Sequence, residues 1–415
     1  MKTFEEMGLP EALNHTLQHL QFKEPTPIQQ QAIPVAMQGK DILGSAQTGT
    51  GKTAAFGIPL VTKLMTNSNG AALVITPTRE LATQVSKQLQ DMLGKKSKIK
   101  SAVLIGGDSI QKQLQQLRNR PRLIVGTPGR INDHLIRGSL MLNNTDYLVL
   151  DETDRMLDMG FSIQIDSIMK YMTAPRQTLL FSATLPRNII SISEKYLNDP
   201  VRISVSPPSS AAENITQDII QVSEAEKYTK LLSELDSREG SIIVFVKTKF
   251  GTEKMATKLS KKGYSADAIH GDLRQSRRER VIEAFRKKKY RILVATDVAA
   301  RGLDIPHIEH VINYDLPQCA EDYIHRIGRT ARAGAKGFAL NLVSPQDKSK
   351  WAAIERLFNP DKKQSNASKD NNPSKNKKKR RFGGKRKDAG SFNKDNGSFK
   401  NKSKKFKKPS TKKVA

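Results

Sequence analysis

The chain has 415 residues and a net charge of +29, and 37% of its residues are hydrophobic. This hydrophobic fraction excludes wholesale disorder, and the length predicts two or three domains. No apolar run approaches the roughly 18 residues of a membrane span. Because Cys319 is the only cysteine, an intramolecular disulfide and a multi-cysteine zinc site are excluded, and we expect a reduced, packed thiol. The excess of positive charge predicts a polyanionic partner.

Acidic residues stand near the start of the chain, where a secretory signal would have basic and then apolar residues. These acids are Glu5 and Glu6. We therefore expect no signal peptide and a cytoplasmic location.

Short apolar runs alternate with amphipathic segments through the first half of the chain. Apolar residues at every fourth position of residues 78–93 are typical of a helix that packs on one face. Strands that are each followed by a helix predict a parallel sheet covered on both faces, which is a doubly wound α/β domain over residues 1–205. The expected strands are residues 41–45, 71–76, 100–105, 122–126, 147–151 and 178–182.

This alternation pauses at residues 204–217, which contain two prolines, four serines and two alanines and have no apolar period. We expect a linker over residues 206–217. The alternation then resumes, with a helix expected at residues 275–288, and predicts a second α/β domain over residues 218–360. Its expected strands are residues 241–246, 264–270, 291–296, 310–314 and 337–343. A cleft between two such domains is a favoured ligand site.

The last segment, residues 361–415, holds 21 lysines and arginines against 4 acids, and almost no aliphatic residues. It cannot bury enough apolar surface to offset its ordering entropy, so we predict a disordered basic tail. Lysines attract RNA phosphates without sequence preference, and isolated aromatic residues can stack on exposed bases. The alternative is a tail that only improves solubility. The aromatic residues are Phe382, Phe392, Phe399 and Phe406.

A glycine-rich loop follows the first expected strand and opens an apolar helix. Its spacing fits the phosphate-binding P-loop, in which glycines let backbone N–H groups turn toward phosphate oxygens. In that pattern Lys52 reaches the β- and γ-phosphates, and the Thr53 hydroxyl binds Mg²⁺. The loop residues are Ala46, Gln47, Thr48, Gly49, Thr50, Gly51, Lys52 and Thr53.

Two acids, Asp151 and Glu152, end the apolar strand that begins at Tyr147. Successive side chains on a strand point to opposite sides, so two separate roles fit these acids better than one shared ligand. Asp151 is suited to hold Mg²⁺, and Glu152 is suited to polarise a water toward the γ-phosphate.

The order and spacing of these and further motifs resemble the DEAD-box RNA helicases of helicase superfamily two, over about residues 4–345. The resemblance implies two RecA-like domains in tandem and ATP-dependent RNA helicase activity. The matching strings are residues 22–29, 46–53, 77–81, 106–107, 127–130, 151–154, 182–184, 270–272, 275 with 278, 295–304 and 325–332.

By this resemblance, further residues contact the nucleotide. The amide of Gln29 can donate to adenine N7 and accept from the N6 amino group, which favours ATP over GTP. Phe22 matches the family's adenine-stacking aromatic residue, and Asp304 matches the acid that contacts the ribose hydroxyls. Arg329 and Arg332 lie three residues apart, so on a helix they would share a face. The resemblance makes them arginine fingers that face the γ-phosphate when the cleft closes.

Other residues match the family's contacts to the nucleic-acid backbone or its coupling motif. Backbone contacts carry little sequence information, so we expect sequence-tolerant RNA binding. The implied RNA contacts are Pro77, Arg79, Gly107, Thr127, Gly129, Arg130, Thr296 and Asp297. The residues implied to couple hydrolysis to strand separation are Asp154, Ser182, Thr184 and His325. The hydroxyls of residues 182 and 184 are expected to bond Asp154 and its neighbours rather than the nucleotide.

One position departs from the family pattern. The string that names the family is Asp-Glu-Ala-Asp, whereas this chain has Thr153 between Glu152 and Asp154. All three carboxylates are kept, so metal binding and water activation are not directly affected. The added methyl and hydroxyl groups bear instead on how Asp154 couples to Ser182 and to the second domain.

The sequence therefore predicts an RNA-stimulated ATP hydrolase that locally unwinds or remodels RNA duplexes. Two alternatives stay open. An ATP-gated RNA clamp with little unwinding is conceivable because of Thr153, and a DNA helicase would be excluded only by a contact to the 2′-hydroxyl. ATP and Mg²⁺ are the expected cofactors. RNA is the expected partner, with ribosomal precursors or RNA-decay proteins as further candidates, and we expect no membrane to take part.

Overall fold

Two parallel β-sheets organise the computed structural model of the chain. The structure describes residues 3–46, 49–205, 214–300, 305, 307–331 and 335–358. The basic tail expected at residues 361–415 lies outside the described residues, as does most of the expected linker. We call residues 3–205 domain one and residues 214–358 domain two.

Domain one contains a sheet of seven parallel strands. They are β1 (Ile42–Ser45), β2 (Ala71–Ile75), β3 (Ser101–Leu104), β4 (Leu123–Gly126), β5 (Thr145–Leu150), β6 (Gln177–Ser182) and β7 (Val201–Ser204). Their order across the sheet is β3-β4-β2-β5-β6-β1-β7. The strands β2, β4 and β6 are buried along their whole length, because apolar side chains from both sheet faces pack into separate cores. The predicted doubly wound α/β domain is confirmed.

Nine described helices surround this sheet. They are α1 (Glu11–His19), α2 (Pro27–Met37), α3 (Lys52–Thr66), α4 (Arg79–Leu93), α5 (Ile110–Arg118), α6 (Pro128–Ile136), α7 (Thr153–Asp158), α8 (Ser162–Met169) and α9 (Arg187–Tyr196). The fourth-residue pattern expected at residues 78–93 corresponds to α4, whose side chains Leu81, Val85 and Leu89 are buried. The hydroxyl of Thr78 accepts a hydrogen bond from the backbone N–H of Leu81 and so begins the helix.

Domain two repeats the architecture with six parallel strands. They are β8 (Ile215–Gln221), β9 (Ser241–Phe245), β10 (Ala266–Ile269), β11 (Ile292–Ala295), β12 (Ile308–Asn313) and β13 (Gly337–Val343), in the order β10-β11-β9-β12-β13-β8. Its described helices are α10 (Lys227–Asp236), α11 (Lys249–Lys261), α12 (Gln275–Arg286), α13 (Asp297–Ala300), α14 (Ala320–Ile327) and α15 (Lys348–Phe358). Two α/β domains in tandem are therefore present, as predicted.

The expected linker is wrong at its C-terminal end. Residues 215–217 belong to β8, which pairs along its whole length with β13. Sequence periodicity missed β8 because it is an edge strand whose side chains are mostly exposed, with only Ile215 buried. A second edge strand, β7, was missed for the same reason, since only Ile203 of its four side chains is buried. Cys319 is exposed, so the expectation of a packed thiol is also wrong.

The helices bear on membrane insertion. Within the described ranges, none of them combines the length and the apolar character that a bilayer crossing requires.

Candidate active site

The glycine-rich loop of residues 46–51, which we call the phosphate loop, joins β1 to α3. Gly49 and Gly51 have φ values of 87° and 91°, a left-handed conformation that glycine adopts without steric cost. The amine of Lys52, the first residue of α3, is buried and donates to the carbonyl oxygen of Ala46 over 2.8 Å. The side chain of Lys52 is therefore folded back toward the first residue of the loop. Gln47 and Thr48 lie outside the described residues.

The start of α2 is bonded to this loop. Gln29 accepts from the backbone N–H of Thr26 over 3.0 Å, which begins the helix, and donates to the carbonyl oxygen of Gly51 over 3.0 Å. The hydroxyl of Thr26 donates to the carbonyl oxygen of Thr50. Gln29 thus holds the phosphate loop, a role that its motif did not reveal. The amide oxygen and the amide nitrogen of Gln29 can each make a second hydrogen bond, so these contacts leave room for adenine. The adenine contact itself stays a prediction.

Phe22 lies seven residues before Gln29, as the adenine-stacking expectation requires. Its ring is half-buried, packs against the core of domain one, and meets Phe4 edge to face with ring centres 5.8 Å apart. The packing fixes one edge of the ring and leaves part of its surface exposed.

The two acids lie at the end of β5. The carboxylate of Asp151 is buried and accepts from the backbone N–H of Glu152 over 3.0 Å. Burial raises the pKa of Asp151 to about 7, against the opposing charge of Lys52. Glu152 has a left-handed φ of 50°, and its buried Oε2 has no hydrogen-bond partner among the described residues. Strained backbone and an unpartnered carboxylate oxygen are typical of functional sites.

Asp154 connects three elements. Its Oδ2 accepts from the backbone N–H of Ala183 over 3.2 Å and from the hydroxyl of Thr184 over 3.5 Å. The same oxygen lies 3.9 Å from Nε2 of His325 in domain two. The hydroxyl of Ser182 instead donates to the carbonyl oxygen of Thr184 over 2.6 Å. Of the two hydroxyls expected to bond Asp154, one does so and the other bonds its motif neighbour.

Thr153 fits its position without a lost hydrogen bond. The side chain is fully buried, and its hydroxyl donates to the carbonyl oxygen of Leu150 over 3.2 Å. The hydroxyl is therefore satisfied locally and does not compete for Asp154.

The predicted RNA contacts of domain one gather at the carboxyl ends of β2, β3 and β4. Arg79 packs directly against Gly107. A Cβ atom added to Gly107 would lie 2.3 Å from Nη1 of Arg79, so a larger residue would displace this arginine. Arg130 donates to the carbonyl oxygen of Asp108 over 3.4 Å. Burial lowers the pKa of Arg79, as do the nearby Arg278 and Arg130. The remaining three residues of this set are the buried Pro77 and Thr127 and the unobstructed Gly129.

Arg326 holds in place the segment of domain two that is predicted to bind RNA, residues 296–297. This guanidinium donates to both carboxylate oxygens of Asp297, over 2.5 and 2.7 Å, and to the side chain of Asn313. It also lies over the ring of Phe245, 4.7 Å from the ring centre. The carboxylate of Asp297 is thus engaged within domain two. Thr296 is buried beside it.

Arg329 does not lie on a helix. The helix α14 ends at Ile327, so Arg329 lies in the following turn. Arg329 is buried, and its Nε donates to the carbonyl oxygen of His325 over 3.0 Å. Arg332 and Asp304 lie outside the described residues.

Two buried ion pairs cross between the domains. Arg278 on α12 contacts Glu80 on α4 over 2.6 Å. Arg155 on α7 contacts Asp322 on α14 over 2.8 Å. Sequence reasoning did not find the second pair, because its partners are separated by 167 positions and neither residue was singled out by a motif role.

Two family models match the chain. The model described as DEAD/DEAH box helicase matches residues 26–192, and the model described as Helicase conserved C-terminal domain matches residues 226–334. The DEAD-box ATP-dependent RNA helicase CshA of Geobacillus kaustophilus is 46% identical over 358 residues, which is 86% of this chain and 76% of that protein.

Solved structures match across both domains. Dbp5 of S. cerevisiae bound to RNA and ADP BeF3 has a TM-score of 0.78 at 33% identity, covering 86% of this chain and 94% of that chain. A DEAD box protein from the hyperthermophile Methanococcus jannaschii has a TM-score of 0.51 at 42% identity, covering 86% and 97%.

Proposed function

Because the chain belongs to the DEAD/DEAH box helicase family and is an ATP-dependent RNA helicase, we propose that its cleft binds ATP and RNA together and that the residues above divide this work. One observation carries the proposal. His325 of domain two lies 3.9 Å from Asp154, and its carbonyl oxygen is bonded by Arg329. An arginine of domain two is therefore bonded to the residue that contacts one of the acids following β5.

In this proposal the phosphate loop holds the ATP phosphates. Backbone N–H groups of the loop face the β- and γ-phosphates, and Lys52 leaves the carbonyl of Ala46 to contact them. Gln29 and Phe22 contact the adenine, and Asp304 contacts the ribose. Hydrogen bonds join the start of α2 to the loop, so adenine bound at α2 and phosphates bound at the loop would contact one connected unit. This connection supports binding of both parts of ATP at the same site.

Asp151 and the hydroxyl of Thr53 are the ligands that we propose for Mg²⁺. The buried carboxyl of Asp151, with its pKa raised to about 7, fits such a role because a nearby cation favours its ionised form. Within the described residues, no group of three or more His, Cys, Asp and Glu side chains could hold a metal. Phosphate oxygens and water would supply the other ligands, as is common for Mg²⁺. When bound, the ion neutralises charge on the phosphates.

Glu152 accepts a proton from, or orients, the attacking water, for which its unpartnered Oε2 is suited. Arg329 and Arg332 stabilise the charge that develops on the γ-phosphate oxygens. This stabilisation is largest in a closed cleft, because excluding water strengthens each electrostatic contact. Asp154, Thr184 and His325 pass the state of the nucleotide to domain two.

RNA lies across both domains in this proposal. Arg79, Gly107 and Arg130 contact its backbone from domain one, and the segment that Arg326 holds at Asp297 contacts it from domain two. Backbone contacts make the binding sequence-tolerant. The similarity to a DEAD-box protein bound to RNA and ADP BeF3 supports this, because it spans both domains and hence includes their relative arrangement.

The tail and the wider setting are also proposals. Residues 361–415 carry a net charge of +17, which favours RNA phosphates as their ligand. Ribosomal precursors and RNA-decay proteins stay candidate partners, and a cytoplasmic location stays a prediction.

An unwinding assay beside an ATPase assay tests this function. The full-length protein should hydrolyse ATP faster with RNA than without it, and should separate a short RNA duplex only when ATP is present. Strong RNA-stimulated hydrolysis without strand separation would favour the ATP-gated clamp. Equal stimulation and unwinding with DNA of the same sequence would favour a DNA helicase, since only the 2′-hydroxyl distinguishes the two ligands at a given contact.

A further inference from the structure

Arg155 and Asp322 form an ion pair in which both side chains are almost inaccessible to solvent. Nη1 of Arg155 donates to Oδ1 of Asp322 over 2.8 Å, and the exposed side-chain fractions are 2% and 10%. Arg155 lies three residues after Glu152, and Asp322 lies three residues before His325. Both residues line a small cavity together with His325 and Arg329.

We infer that this ion pair is a positioning contact that makes closure of the cleft depend on both charges. The pair joins α7, which begins directly after Glu152, to α14, whose end carries His325 and leads to Arg329. It therefore sets how the arginine of domain two meets the acids of domain one. Neither side chain is assigned to substrate, so both are positioning residues.

The physical reason lies in the difference between an open and a closed cleft. When the domains separate, each charged side chain can be hydrated. When they close, each loses water, and the cost is offset only if the opposite charge is present. Removing Asp322 takes the carboxylate away from the buried guanidinium of Arg155, and removing Arg155 takes a cation away from the buried carboxylate of Asp322, so either change acts against the closed form specifically.

The second ion pair across the cleft has a different setting. Arg278 is also bonded to the carbonyl oxygen of His270, and it lies close enough to Arg79 to affect its pKa. A change there would alter the proposed RNA contacts directly. Arg155, in contrast, donates to Asp322, and its Nη2 has no hydrogen-bond partner among the described residues. The hydrogen bond described for the Arg155–Asp322 pair does not involve a proposed RNA contact, although Asp297 lines the same cavity.

The inference rests on the proposed joint binding of ATP and RNA, and one measurement separates the two. The affinity of the full chain for a short fluorescein-labelled single-stranded RNA is measured with and without ADP–BeF3. The ratio of these affinities reports how strongly nucleotide and RNA favour the same closed form. A wild-type protein whose RNA affinity does not rise with ADP–BeF3 would overturn the proposed function and this inference together.

Arg155→Met and Asp322→Leu should each lower that ratio by about 100-fold, the scale on which a broken buried ion pair acts. RNA affinity without nucleotide should stay unchanged. The double variant Arg155→Met/Asp322→Leu should recover most of the ratio, because an apolar pair leaves no buried charge. The control Arg137→Met removes an exposed arginine of domain one, paired with Asp133, and should keep the wild-type ratio.

Three results would overturn the inference. The first is a wild-type ratio in either single variant. The second is a double variant as impaired as the single ones. The third is a large drop in the thermal midpoint of both single variants without nucleotide and RNA, which would make the pair an ordinary structural contact.

Discussion

In domain one the six strands β3-β4-β2-β5-β6-β1 stand in the same order as β10-β11-β9-β12-β13-β8 in domain two. By this order β1 corresponds to β8, and β5 corresponds to β12. The two domains therefore offer the same positions at the carboxyl ends of their strands, where ligands bind in parallel α/β sheets. The difference in function must come from the residues at those positions.

The loops after β1 and β8 differ in their residue types. The six residues between β1 and α3 include two glycines, whereas the five residues between β8 and α10 include none and contain two glutamates. Both following helices begin with a lysine, Lys52 in α3 and Lys227 in α10. Glycine-free backbone cannot curve around a phosphate in the same way, and glutamates repel it.

The two lysines are correspondingly held by different partners. The amine of Lys52 contacts only a neutral carbonyl among the hydrogen bonds described for it. The amine of Lys227 contacts Glu224 over 2.9 Å and Asp347 over 3.1 Å, and its side chain is 1% exposed. Burial would raise the pKa of Asp347, but hydrogen bonds from Ser344 and Lys227 lower it to about 2. The same residue type at the same topological position is thus available to a ligand in one domain and neutralised in the other.

The largest expected effect concerns Glu152, the acid of domain one that we propose to act on the attacking water. Glu152→Gln should lower kcat for RNA-stimulated ATP hydrolysis by about 100- to 1000-fold, because a positioned general base contributes on this scale. ATP binding should be kept. Glu224→Gln, which changes a glutamate in the loop after β8, the counterpart of β1, should leave kcat near the wild-type value. A near-normal kcat in Glu152→Gln would show that the two domains do not differ in the way proposed.

Replacing each of the two lysines separately tests whether Lys52 and Lys227 differ in function. Lys52→Ala should weaken ATP binding by about 10- to 100-fold through the loss of charged contacts, and should leave the thermal midpoint almost unchanged. Lys227→Met should instead lower the thermal midpoint and leave ATP binding almost unchanged. It removes the buried cation that Glu224 and Asp347 share, with Lys350 still beside Asp347, and should lower the free energy of unfolding by about 3 kcal/mol, with the KM for ATP unchanged.

Fluorescence titration with an ATP analogue and thermal unfolding measure both quantities on each variant. Weakened ATP binding in Lys227→Met at a normal thermal midpoint would mean that domain two keeps a phosphate site of its own.

The smallest effect on catalysis is expected from the tail, which belongs to neither domain. Deleting residues 361–415 should leave maximal ATPase at saturating RNA unchanged but weaken RNA binding. If about five lysine contacts are lost, the slope of log affinity against log salt should flatten by about 3 to 4, since each single-strand phosphate contact contributes about 0.7.

A matched variant separates charge from stacking in the tail. Replacing Phe382, Phe392, Phe399 and Phe406 with Leu should keep the salt slope and lower the affinity for unpaired RNA. An unchanged slope after the deletion would favour a tail that only improves solubility.

The sequence by itself determined the features that depend on neighbours along the chain. Buried strands such as β2 and β6 appear as apolar runs, and α4 appears as a fourth-residue pattern, because local periodicity records which face is buried. The phosphate loop and the acids after β5 were found because their chemistry needs fixed spacing within a few residues. The mostly exposed edge strands β7 and β8 escaped, because a strand with few buried side chains has no buried face to record.

The tertiary structure alone decided which distant groups meet. Arg155 and Asp322 stand 167 positions apart, and their pairing depends on how two separately folded sheets pack. The amide of Gln29 bonds a loop that is 22 residues away, and the carboxylate of Asp297 faces Arg326. A short motif fixes residue types but not their partners, because a charge or amide can bond any group that packing brings within about 3 Å. For the same reason, only the strand order revealed that Lys52 and Lys227 occupy equivalent positions with opposite outcomes.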